Sequence, residues 1–301
     1  LPIKIRALKP QEKTALLMVL PAFFYIFVFT VYSYSQAFYL AFVKYKLVEP
    51  QTIGKFIGLT NFIDVIGATY FKDTIYETFI FTLMCTVVIV SLGIGVSILL
   101  NEKFKGVGLV RFIILIPWAI PPTAAGLIWR LMLYRSGWIN RFGMMLGIIK
   151  EPIEFLGAGR IYQLVYALIA QMWQQLPFVS ILLMAAHQLI PKDLLDAARV
   201  DGASWIKRLR HVTFPYIRNV IALVAIWEAI VAFTSYDILY TFSGGVWGII
   251  TYYAFAEGFS WMNLGHAAAL SVIIAIFILI MISIILLIIP PKKIYEYSFV
   301  E

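Results

Sequence analysis

The sequence predicts an all-α integral membrane protein with six transmembrane helices. Hydrophobic residues make up 62% of the 301 residues and charged residues 13%, against roughly a quarter charged in soluble domains. The apolar residues gather into runs, several of them long enough to cross a bilayer, which takes about 20 residues each. A polar, charged segment, residues 190–214, separates two of the longest runs.

Six spans are expected near 15–42, 75–100, 107–133, 161–187, 215–240 and 264–289. The first is too long for the apolar region of a signal peptide and no small-residue cleavage site follows it, so it is expected to be retained. No linker rich in Gly, Pro or Ser divides the chain, so 1–301 is expected to form a single transmembrane domain. With the N-terminus inside, the inner segments 1–14, 101–111, 188–218 and 290–301 hold fifteen of the 24 basic residues. That bias, and an even number of spans, predicts cytoplasmic N- and C-termini and a cytoplasmic 190–214 loop.

The third span carries Pro117, Pro121 and Pro122. None of the three supplies a backbone N–H, so the helix must kink or open there, which a membrane tolerates only where protein or water satisfies the freed carbonyls. Such a helix suits the lining of a pathway or a kink that shapes packing.

In the fourth span Gln171, Gln174, Gln175 and Phe178 follow the i, i+3, i+4, i+7 spacing and form one stripe. Amides inside a membrane need partners and face the bundle interior or a wet cavity. They donate and accept, and a ring face covers C–H groups, so the stripe suits a neutral, hydroxyl-rich ligand. It equally suits hydrogen bonding between helices.

The loop after that span opens with Pro191, which fits a first helical turn, and places Asp193 and Asp196 near a helix N-terminus. Ala197 and Ala198 leave a small surface, and Gly202 permits a sharp bend before a second short helix near Trp205. In the fifth span Glu228 lies about three turns inside an apolar run, with Ser235 seven residues on and expected on the same face. An acid at that depth must be paired, hydrated or neutralised. It could accept from a ligand's hydroxyls, bond another helix, or carry a proton.

The stretch from Ile190 to Pro215 resembles the cytoplasmic loop of ABC importer permeases, in which Glu-Ala-Ala, three residues, Gly, a spacer and a hydrophobic-Pro pair recur. Asp196 stands at the Glu position, and Ala197, Ala198, Gly202, Phe214 and Pro215 fall at theirs. Segment 111–143, with Gly-Leu-Ile-Trp at 126–129, resembles the corresponding span of sugar-type permeases, and Ser-Tyr-Asp-Ile-Leu-Tyr at 235–240 resembles that of the first maltose-transporter permease. The resemblance to the carbohydrate-uptake family (maltose, trehalose and glycerol-phosphate type) runs from about Thr14 to Ile289.

It implies a type I ABC importer permease fold in the plasma (inner) membrane of a prokaryote, with a coupling helix between spans four and five. Asp196, Ala197, Ala198, Asp201, Gly202 and Ala203 would then couple to an ATPase. Gln171, Gln174, Gln175, Phe178, Glu228 and Ser235 would be candidate substrate-binding residues. The implied partners are a second permease, two ATPase subunits, an extracytoplasmic solute-binding protein, membrane lipid and a sugar, a disaccharide such as maltose or trehalose. The alternative is an ion- or proton-coupled secondary transporter centred on Glu228.

The sequence shows no catalytic constellation and no phosphate-binding loop, and His187, His211 and His266 have no metal-ligand spacing. A transport subunit rather than an enzyme is therefore expected, with ATP hydrolysis in a separate chain and no cofactor or metal. The net charge of +8 fits anionic lipid and gives no reason to invoke nucleic acid.

Overall fold

The computed structural model of the chain describes residues 10–157 and 159–291. The basic residues of 1–9 and 292–301, which help predict the orientation of both termini, lie outside the described residues. The chain divides into two compact units, Leu1–Gly67 with Ala254–Ile273, and Ala68–Tyr253 with Ile274–Glu301.

In the first unit, helix α1 (Pro10–Ile26) passes through a π-type turn, Phe27–Val31, into α2 (Tyr32–Leu40). Its apolar side chains, among them Leu17, Phe24 and Tyr34, are exposed within this chain, as a surface meant for lipid or protein would be. Strands β1 (Val43–Lys44) and β2 (Lys55–Phe56) pair antiparallel, Val43 opposite Phe56. Helix α3 (Thr60–Gly67) is tied to β1 by the buried Asn61, whose Nδ2 donates to the Ala41 and Val43 carbonyls at 3.0 and 2.9 Å. Glu49 binds Lys44 at 2.9 Å and Lys46 at 2.8 Å, bracing the turn between the strands.

The second unit is built on α4 (Phe71–Asn101), α8 (Arg160–Gln188) and α11 (Phe214–Phe233), which pack on one another. Phe81, Cys85, Ile89, Leu164, Val179, Leu183 and Val224 form their common core. Gly93 sets the closeness of the α4–α8 crossing, because a Cβ there would overlap the Val179 side chain. The carbonyls that end α4 have no helical partner, and Arg111 donates twice to Leu100 O, from Nε at 3.1 Å and Nη2 at 2.6 Å.

Between α4 and α8 come α5 (Val107–Ala119), α6 (Pro122–Leu133) and α7 (Trp138–Met145). The third span is not one helix. It breaks at Ile120–Pro121 and turns through 93°, because two adjacent residues lack the N–H that would continue the ladder. Among the described residues five continuous helices are long and apolar enough to cross a membrane, and the bent pair makes up to six.

After α8 come α9 (Lys192–Val200) and α10 (Trp205–Arg208), which runs through a π-type turn, Leu209–Thr213, into α11. The fifth span differs from the expected 215–240. Its helical path begins at Trp205 and ends at Phe233, and α12 (Tyr236–Ser243) is a separate helix. Helix α12 packs on α6 at Gly126, whose missing Cβ makes room for the Ile238 carbonyl and the Thr241 hydroxyl. The turn after it uses two left-handed glycines, Gly244 and Gly245, at φ 75° and 78°. Trp247 follows, buried, its Nε1 donating to Gln163 Oε1 at 2.6 Å. Helices α13 (Ile250–Phe255) and α14 (Leu264–Ile288) complete the chain.

Candidate functional site

Two places on the α8–α11 half of the second unit hold the residues singled out from the sequence. The first is the hairpin between them. Pro191 precedes α9, Asp193 occupies its first turn, and Asp196 bonds Arg199 at 2.7 Å. The helix stops where Gly202 enters the left-handed region at φ 72°. The turn is closed by Asp201 N–H to Ala197 O at 3.0 Å and Ala203 N–H to Ala198 O at 3.0 Å. Ser204 opens α10, and Arg208 Nη1 reaches back to Ala203 O at 2.7 Å.

One face of this hairpin is seated. Leu195 and Val212 pack on Ala186, Ile190 and Ile217, the junctions with α8 and α11. The other face is open: Asp196, Ala197, Asp201 and Gly202 are exposed, while Ala198 and Ala203 are half-buried beneath them. Beside them stand three apolar side chains whose exposure no sequence motif marks. Val200 is 87% exposed, Ile206 68% and Trp205 54%. Their signal was legible in principle, as apolar residues at the tip of an otherwise charged hairpin.

The second place is the middle of α8. Gln171, Gln174 and Gln175 are buried there; each amide has a protein partner, while Gln175 Oε1 has none among the described residues. Gln174 Nε2 donates across a long 3.4 Å to the Ile120 carbonyl, at the break between α5 and α6. Gln175 Nε2 donates to Gln174 Oε1 at 2.6 Å. Gln171 Oε1 accepts from Ser235 Oγ at 2.8 Å, at the break between α11 and α12. The stripe thus fastens two helix breaks to one helix. Ser235 is not one turn-pair beyond Glu228 on a common helix face, since α11 ends at Phe233. It joins the group through Gln171 instead.

Glu228 is fully buried among these helices. The Gln171 side chain is close enough to act on it, and the Cys85 thiol lies within electrostatic range. Neither carboxyl oxygen has a hydrogen-bond partner of good geometry among the described residues. The other buried acid of this unit, Glu77, has a cation, Arg160 at 3.2 Å.

Phe178 stands at the edge of the group. It stacks on Trp118 at a centroid distance of 5.2 Å and 16°, and meets Trp227 at 5.4 Å and 45°. Trp118 and Trp227 remain 44% and 46% exposed. Neither was singled out from the sequence. Trp118 lies between Pro117 and Pro121 and Trp227 precedes Glu228, so proximity to the marked residues was the available signal. The arrangement groups three partly exposed aromatic rings on the helices that also bury the amides and the Glu228 carboxyl. No group of three or more His, Cys, Asp or Glu able to hold a metal occurs among the described residues.

Comparison with known proteins gives one consistent answer. Residues 89–292 match the family described as binding-protein-dependent transport system inner membrane component. The trehalose/maltose transport system permease protein of Thermococcus litoralis is 32% identical over 89% of this chain and 91% of its own length. A trehalose transport system permease protein of Mycobacterium tuberculosis is 29% identical over 88% and 84%. Among solved structures, a chain of a bacterial ABC transporter involved in the import of the acidic polysaccharide alginate superposes with a TM-score of 0.78. It covers 92% of this chain and 95% of its own at 18% identity, a likeness of fold.

Proposed function

We propose that this chain, which belongs to the family of binding-protein-dependent transport system inner membrane components, carries half of the pathway for a neutral sugar in an ATP-driven importer. A disaccharide such as maltose or trehalose is the proposed substrate. Two relatives at 32% and 29% identity are named for trehalose/maltose and trehalose transport. The supporting observation within the chain is the aromatic group Trp118–Phe178–Trp227, which is partly open and lies on three helices, one of which, α8, also carries the buried amides.

In this reading the rings meet the C–H faces of the sugar. Phe178 is the contact residue of the stripe, while Gln171, Gln174, Gln175, Glu228 and Ser235 form the layer that holds the rings and helix breaks in place. A second permease supplies the opposite wall, and a solute-binding protein delivers the sugar from outside.

Two ATPase subunits drive the cycle, one of them receiving Asp196, Ala197, Ala198, Asp201, Gly202 and Ala203. The hairpin joins α8 to α11 directly. A displacement of the hairpin therefore acts at once on the helix that carries the amides and the one that carries Glu228 and Trp227. Rigid packed helices transmit such shifts as two discrete arrangements rather than by bending. The polar hairpin and its cations lie on the cytoplasmic side, and the protein resides in the inner membrane.

The experiment is uptake of labelled maltose and trehalose into vesicles containing the assembled transporter. ATP-dependent uptake that resists a proton ionophore, with Phe178→Ala raising the half-saturation concentration at least about tenfold, supports the reading. Uptake driven by a proton gradient and abolished by Glu228→Gln would replace it with a secondary transporter centred on that acid.

A further inference from the structure

Beside the seated face of the hairpin lies a cavity of about 780 Å³. Its wall is made by the α4–α5 connection, the end of α8 and the start of α9. Lys103, Lys105, Arg111 and Lys192 line it, against one acid, Glu102. Among the described residues none of the three lysines is paired with an acid. Arg111 is fixed at the wall by its two bonds to Leu100 O.

Four cations around one space repel each other, and an anion carrying several acceptor oxygens removes that repulsion while making charge-assisted hydrogen bonds. The apolar flank narrows the choice. Leu99 and Leu109 are 66% and 63% exposed, and Phe104 and Val110 are exposed beside them. These residues lie at the end of α4, in the α4–α5 connection and in the first turns of α5, next to the cations in sequence. A ligand that is anionic at one end and has long apolar chains at the other matches both surfaces.

We propose that this cavity holds the phosphate headgroup of an anionic phospholipid, with its acyl chains along the exposed flank of α4 and α5. The cavity wall includes Ile190 and Leu195, residues of the cluster that seats α9, so the lipid braces the hairpin from behind. Binding of the lipid follows from the local geometry and does not depend on which solute is carried or on what drives transport.

The test uses the assembled, delipidated transporter, titrated with phosphatidylglycerol and separately with phosphatidylcholine, and read by native mass spectrometry. The wild type should retain phosphatidylglycerol at least about tenfold more tightly. The K103Q/K105Q/K192Q variant should lose that preference, and K103R/K105R/K192R, which keeps the charges, should restore it. The same preference in the glutamine variant would overturn the proposal, since the lipid would then be held elsewhere. Displacement of phosphatidylglycerol by excess inorganic phosphate, with phosphate alone protecting the cavity from lysine-directed labelling, would also overturn it by showing a site for a soluble phosphate. If the glutamine variant fails to assemble, the single K192Q variant gives the same reading at α9, with a partial loss of preference expected and none contradicting the proposal.

Discussion

The hairpin after α8 and the middle of α8 are both polar interruptions in an apolar chain, and they are built in opposite ways. In the hairpin the marked residues face outward, and Asp196, Gly202 and Val200 are exposed around one seated edge. In the middle of α8 the amides are buried, and two of them, Gln174 and Gln171, bond the helix breaks at Ile120 and Ser235. In the proposed function the hairpin is the surface that receives a partner. In that proposal the buried stripe is a brace: its amides tie the helix breaks, and the rings around Phe178 meet the ligand. The difference teaches that a polar residue in a membrane chain marks a function through what its partners leave open, not through its polarity.

The largest effect should come from the open surface. A Cβ at Gly202 would meet nothing within 4 Å, but its φ of 72°, at the turn of the hairpin, is one that other residues adopt only with strain. Gly202→Asp should leave the protein inserted, at a local strain of about 1–2 kcal/mol, and reduce ATP-driven uptake to background. Uptake within a factor of two of wild type would break the contrast, because the exposed face would then have no partner.

Gly93→Leu tests the frame that joins the two regions. The new side chain would meet Val179 at the α4–α8 crossing, so thermal unfolding of the detergent-solubilised protein should show a loss of about 1–3 kcal/mol. Unchanged stability would mean that the crossing is looser than Gly93 implies.

The brace is sharpened by Gln174→Leu together with Gln171→Leu. Removing these amides takes a partner from the Ile120 carbonyl, the Ser235 hydroxyl and Gln175 Nε2, at about 1–3 kcal/mol for each buried group left unpaired. Amide exchange should rise at both breaks and uptake should fall several-fold, while the second permease still co-purifies. Loss of the second permease instead would show that the stripe faces the partner subunit.

The smallest effect lies on the β1–β2 turn of the first unit. Lys46 and Lys44 hold the Glu49 carboxyl down at about 2, against an ordinary 4.5. A depressed acid contributes its stability fully above the ordinary value, and the contribution fades as pH falls from 4.5 toward about 2. A nuclear magnetic resonance titration of Glu49 should therefore have its midpoint near 2. A midpoint near 4.5 would show that the ion pairs do not persist in solution.

Much of this architecture was legible in the sequence because a bilayer admits few solutions. Span lengths, the Pro121–Pro122 interruption and the Pro191–Gly202 punctuation of the hairpin follow from backbone hydrogen bonding alone. The candidate site was legible only in part. Spacing placed Gln171, Gln174, Gln175 and Phe178 on one face, but periodicity within one helix says nothing about what faces it. That Gln174 meets Ile120, or that Trp118 and Trp227 flank Phe178, depends on how α5 and α11 pack against α8. Ser235 shows the same limit from the other side: its helical phase relative to Glu228 assumed a helix that stops at Phe233.

The most direct test of the coupling role is a crosslink from the hairpin tip. Val200 is 87% exposed, whereas the single native cysteine, Cys85, is buried, so Val200→Cys introduces one reactive thiol. With a thiol-to-amine crosslinker in membranes holding the assembled transporter, a covalent product should form between this chain and an ATPase subunit. The yield should change when ATP is bound. A thiol that labels freely with a small reagent yet joins no ATPase, in membranes where uptake persists, would contradict the coupling role.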